Sequence, residues 1–72
     1  MTRPTRFIAE TDMDGGVLWV WCFRSGDRIA QPVRDARDCL AELASAEFYG
    51  APAEAIAAWL TRLGEGGGSP SA

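Results

Sequence analysis

The chain has 72 residues, a net charge of −3 and 47% hydrophobic residues, which suits one small domain and no more. It contains neither Lys nor His. Generic phosphate binding through a basic surface is therefore disfavoured, and the commonest general base and metal ligand is missing.

Residues 1–4 read as a lead-in. The opening MTRPTRF has no apolar stretch of the signal-peptide kind, and no run reaches the ~18 apolar residues of a membrane span. The expectation is a soluble, cytoplasmic protein. TRFIAET, residues 5–11, fits a strand with Phe7, Ala9 and Thr11 on one face and Arg6, Ile8 and Glu10 on the other. DMDGG, residues 12–16, is a turn, because Asp-Gly and Gly-Gly accept the backbone of a tight hairpin. It also begins like a calcium loop, but Gly16 and Phe23 stand where that loop needs oxygen ligands, so turn-forming Asp is the better account.

VLWVWCFR, residues 17–24, is apolar on both faces: Val17, Trp19, Trp21 and Phe23 on one, Leu18, Val20 and Cys22 on the other. Ser25-Gly26-Asp27 turns the chain into a short edge strand, residues 28–33, where Pro32 cannot donate to a ladder. The period then changes. Asp35 is a candidate N-cap with Asp38 three residues on, and a helix is expected over 36–48, closed by Gly50. Tyr49 and Phe48 would pack at the turn between the helices. Pro52 opens a second helix, on which Ile56, Trp59, Leu60 and Leu63 form an apolar stripe ending at Gly64. EGGGSPSA, residues 65–72, reads as a disordered tail.

The expected fold is α+β: one domain over residues 1–64, with a three-stranded antiparallel meander followed by two helices packed on one face. The larger set, Trp19, Trp21 and Phe23 with Phe7, is the better candidate for the covered face. That leaves Ile8, Leu18, Val20 and Cys22 outside, while the reverse assignment exposes the aromatics and is the stronger binding signal. A domain this small buries only about 60% of its unfolded surface, so the surplus face calls for a target or a second copy. Cys22 and Cys39 sit in apolar surroundings and suit buried free thiols; a bridge between them requires strand and helix to face each other.

No phosphate loop, paired-cysteine motif or nucleophile elbow is present. The expectation is a non-enzymatic binding protein without cofactor or metal. Its candidate partner-binding carboxylates are Glu10, Asp12 and Asp14 at the hairpin and Asp35, Asp38 and Glu42 on the first helix. Acidic groups favour a basic partner surface, although a solvated, capping face accounts for the helical set as well.

TRFIAET, VLWVWCFR, RDARDCLAELASAEF and APAEAIAAWLTRL together resemble the small anti-CRISPR proteins of phages, in particular inhibitors of type I, including type I-C, systems. The resemblance implies an inhibitor that binds the Cascade effector complex and keeps target DNA away, without contacting nucleic acid itself. Residues 7–44 are also similar to the ββα units of the YegP-like family, through the Asp14-Gly15 hairpin, the aromatic strand, the Gly26 turn and Ile29-Ala30. QPVRDARD lacks that family's Ser and Lys positions. This second likeness implies a small ββα-type domain of obscure role; with the surplus apolar face, the alternative expectation is a structural homodimer with sheets packed through Ile8, Leu18, Val20 and Cys22.

Overall fold

The structure, a computed structural model, describes residues 4–66, the Asp38 side chain excepted. Two strands, β1 (Arg6–Thr11) and β2 (Val17–Phe23), form an antiparallel hairpin. Asp12 organises the turn. Its backbone N–H donates to the Gly16 carbonyl at 2.9 Å, and its Oδ1 accepts the N–H groups of Asp14 and Gly16 at 2.9 and 2.8 Å. Gly15 supplies the positive φ of 85° that the turn needs. The register pairs Phe7 with Cys22, Ile8 with Trp21 and Ala9 with Val20. Glu10 faces Trp19 and Thr11 faces Val17, so Leu18 is the extra residue of a bulge.

The third strand, β3 (Gln31–Pro32), is shorter than expected and pairs with Trp21 and Cys22 at the sheet edge, where Pro32 is tolerated. The expected helix over 36–48 does not form as one piece. A single turn, α1 (Arg37–Leu40), is followed by a 3₁₀ turn at Leu43–Ser45 and then by a strand, β4 (Glu47–Tyr49). The N-cap of α1 is Ala36, not the expected Asp35, and no side chain caps it; Asp35 lies one residue earlier and accepts the Arg37 N–H at 2.9 Å. Tertiary pairing overrides local helix preference at the other end. Strand β4 joins β1 in parallel, the Glu47 N–H donates to the Thr5 carbonyl at 2.8 Å, and the Phe48 ring stacks on Phe7 with centroids 5.8 Å apart. Phe48 and Tyr49 are thus strand residues, not a packing between helices. The final element, α2 (Ala53–Gly66), runs two residues past the expected stop at Gly64. The lead-in residues 1–3 and the tail from 67 to 72 lie outside the described residues.

The result is a four-stranded mixed sheet, ordered β3-β2-β1-β4, with helical cover on one side. Helix α2 lies against β2 and β4, and α1 packs on α2. The buried set is Phe7, Ala9, Val20, Cys22, Val33, Ala36, Cys39, Ile56 and Leu60. The stripe expected on the second helix is confirmed: Ile56 and Leu60 are fully buried, and Trp59 and Leu63 pack against the core.

The face assignment is the main correction. Val20 and Cys22 face the helices with Phe7, so they cannot form an outer face with Ile8, nor the sheet-packing surface of a homodimer. Trp21 and Phe23 lie on the opposite side with Ile8. The reason is packing distance. Ala9, Cys22, Ala36 and Cys39 are small and let Ala-rich helical cover approach closely, whereas a row of indoles would hold it off. Trp19 is the intermediate case: its register partner is Glu10, yet its ring meets Trp59 edge-on at 5.4 Å. Both cysteines are buried and neither is in a disulfide; the Cys39 sulfur accepts from Arg24 Nη2 at 3.9 Å.

Candidate interaction surface

Strand alternation puts Arg6, Ile8 and Glu10 on the uncovered side of β1, Trp21 and Phe23 beside them on β2, and Glu47 and Tyr49 on β4. The register aligns Pro32 with Trp21, Trp21 with Ile8, and Ile8 with Tyr49. One apolar row therefore crosses all four strands. Trp21, Ile8 and Pro32 are half-buried by their neighbours alone, and Tyr49 is 48% exposed.

Charges frame this row. Arg6 pairs with Glu47 at 3.4 Å. The Trp21 indole N–H donates to the Glu10 carboxylate. The Tyr49 hydroxyl donates to Glu47 Oε1 at 2.8 Å, and that bond to a carboxylate, with some burial, raises the phenol above its ordinary range. Polar groups here are satisfied by one another, which holds the aromatic rings in fixed orientations.

The six acidic residues singled out in the sequence separate into two groups at opposite ends of the strands. Glu10, Asp12 and Asp14 surround the β1–β2 turn and are exposed. Met13 at the tip is fully exposed. Their carboxylates take part in none of the ion pairs found among the described residues, which join Arg6 to Glu47, Arg24 to Glu42 and Arg37 to Asp35. The other group serves the fold. Glu42 accepts from Arg24 Nη2 at 2.7 Å and from Thr5 Oγ1 at 2.5 Å, clamping the α1 segment to the far ends of β1 and β2. These bonds, Arg24 first, hold the Glu42 carboxyl below its usual range. Asp35 is bound by Arg37, which lowers its carboxyl likewise. The Asp38 side chain lies outside the described residues.

Among the described residues no group of three His, Cys, Asp or Glu side chains could hold a metal, and no helix is long and apolar enough to cross a membrane. An open cleft of about 370 Å³ lies between Pro4, Arg6, Phe23 and the 24–27 turn, but both of its arginines are engaged by Glu47 and Glu42. The exposed aromatics of β2 are the reverse face assignment that the apolarity of VLWVWCFR leaves open; the β4 contribution, Tyr49, is hidden in what reads as a helix end. Comparison with known proteins gives no match to a family model, a curated protein or a solved structure. Fold and surface together define a small α+β domain with a rigid acidic tip and an open aromatic sheet face.

Proposed function

We propose that this chain is a non-enzymatic binding protein whose acidic hairpin tip docks on a basic, nucleic-acid-handling protein. The observation that carries this reading is the concentration of Glu10, Asp12 and Asp14, outside the ion pairs of the described residues, at and beside a turn that its own hydrogen bonds hold in shape. A preorganised charged tip loses little entropy on binding, and its field speeds encounter with a positive groove. The Asp35 and Glu42 carboxylates, already bound to arginines, contribute less to such a partner. The whole-chain resemblance to anti-CRISPR proteins supplies the specific form: an inhibitor of type I Cascade that occupies the surface where target DNA would enter.

The test is affinity for purified type I-C Cascade, measured with Asp14→Lys and Asp12→Asn variants. Asp12→Asn keeps the Oδ acceptor of the turn, so it removes charge with the turn bonds in place. On this reading Asp14→Lys weakens binding at least about tenfold without lowering Tm. Unchanged affinity removes the hairpin from the site.

A further inference from the structure

The uncovered sheet face carries a second pattern, which shares only Glu10 with the acidic tip. Its central row, Pro32, Trp21, Ile8 and Tyr49, is apolar across all four strands. Along β1, the same face reads Arg6, Ile8, Glu10, so opposite charges stand two residues to either side of the apolar centre; within the chain Arg6 also pairs with Glu47 at 3.4 Å and Glu10 accepts the Trp21 indole N–H, so a contact between copies extends these pairs and does not replace them. We propose that this face is the interface of a symmetric homodimer, with the two-fold axis lying along the Pro32–Trp21–Ile8–Tyr49 row.

Rotation about that axis turns one sheet face-down on the other with strands antiparallel. Each residue of the row falls on its own counterpart, apolar on apolar, as a self-complementary two-fold contact requires. Arg6 of each copy falls over Glu10 of the other. Two residues along a strand is about 7 Å from the axis, and the roughly 30° crossing of packed sheets displaces the charges sideways by under about 4 Å, within the reach of an arginine. An axis along the strands is worse. It would bury Arg6 and Glu10 over Phe23 and Trp19, with no opposite charge across the interface. The charge order thus selects a second copy and one orientation of it. The arrangement takes up Glu10 but leaves Asp12 and Asp14 of the two turns at opposite ends of the assembly, where they could engage a basic partner twice.

The experiment is sedimentation of the full chain with two charge variants. Wild type is expected to sediment at twice the 7.7 kDa chain mass at micromolar concentration. Arg6→Glu gives a face with carboxylates at both ends, and Glu10→Arg a face with guanidiniums at both ends. Alone, each is expected to self-associate at least about tenfold more weakly than wild type. Mixed in equal amounts, the two present opposite charges at both contacts and are expected to form the heterodimer. Circular dichroism of each variant identifies any that fails to fold, and Ile8→Arg, expected to be a folded monomer, is the second route to the same answer. A wild type that stays monomeric at millimolar concentration overturns the proposal. So does a mixture no more associated than its components.

Discussion

Gly50 lies flush against the backbone of Ala9. A Cβ at this position would collide with the Ala9 carbonyl oxygen and come within 3.1 Å of its carbonyl carbon, and the residue has a φ of 86°. This contact ends β4 as it passes β1, so one glycine serves both an unusual backbone conformation and a close approach. Gly50→Ala is expected to destabilise the fold by about 2–4 kcal/mol, combining backbone strain with forced separation of the strands. Urea unfolding followed by circular dichroism measures it. A loss under about 1 kcal/mol would mean that β4 is not held against β1 in this way.

The two faces of β2 should respond differently to polarity. Val20 is fully buried beneath α2, whereas Trp21 lies on the open face. Val20→Asn puts an amide in the core and is expected to cost about 3 kcal/mol or more. Trp21→Gln should leave the monomer folded and cost less than about 1.5 kcal/mol, through lost packing on Ile8 and Pro32. The reverse order in thermal melts would restore the aromatic side as the core.

The clamp between Arg24, Glu42 and Thr5 makes stability depend on pH. Because its partners lower the Glu42 carboxyl from the ordinary value of 4.5, the unfolded chain takes up a proton first as pH falls. The stabilisation is complete above about pH 5 and is lost as pH drops through the depressed folded-state value. The side chains are about a third exposed, at 39% for Arg24 and 30% for Glu42, so the contribution is modest, about 1 kcal/mol. Glu42→Gln should lower Tm at pH 7 and reduce the further fall between pH 5 and pH 3. An unaltered acid profile in this variant would place the acid sensitivity elsewhere.

The thiols should be inert in the native state. Cys22 and Cys39 are each 3% exposed, and burial, the dominant influence, pushes the Cys22 thiol up to about 11. Little of the reactive thiolate exists at pH 8. Reaction with a disulfide reagent is expected to be slow for the folded chain and to release both thiols in strong denaturant. Rapid native labelling would show that the α1 segment opens over Cys39.

Much of the fold could be read from the chain because its signals are local. Asp12 to Gly16 specify the hairpin turn through side-chain and glycine chemistry, and Ile56, Leu60 and their neighbours specify α2 by spacing alone. What could not be read depends on contacts distant in sequence. Alanines and leucines over 36–46 favour helix locally, yet Phe48 pairs with Phe7 some 40 positions earlier. The orientation of VLWVWCFR had the same difficulty. Both of its faces are apolar, so period alone cannot choose between them, and the choice rests on which small residues let the helices approach. For the candidate site, the exposure of the hairpin carboxylates follows from the turn, whereas the engagement of Glu42 by Arg24 follows only from the folded geometry.

The most direct measurement is a competition assay: binding of target DNA by purified type I-C Cascade, with wild type or Asp14→Lys added at low and at raised salt. The account expects wild type to prevent DNA binding, the effect to weaken as salt screens the acidic tip, and Asp14→Lys to lose most of it while melting like wild type. Undiminished DNA binding in the presence of wild type, or equal inhibition by the variant at both salt concentrations, would contradict it.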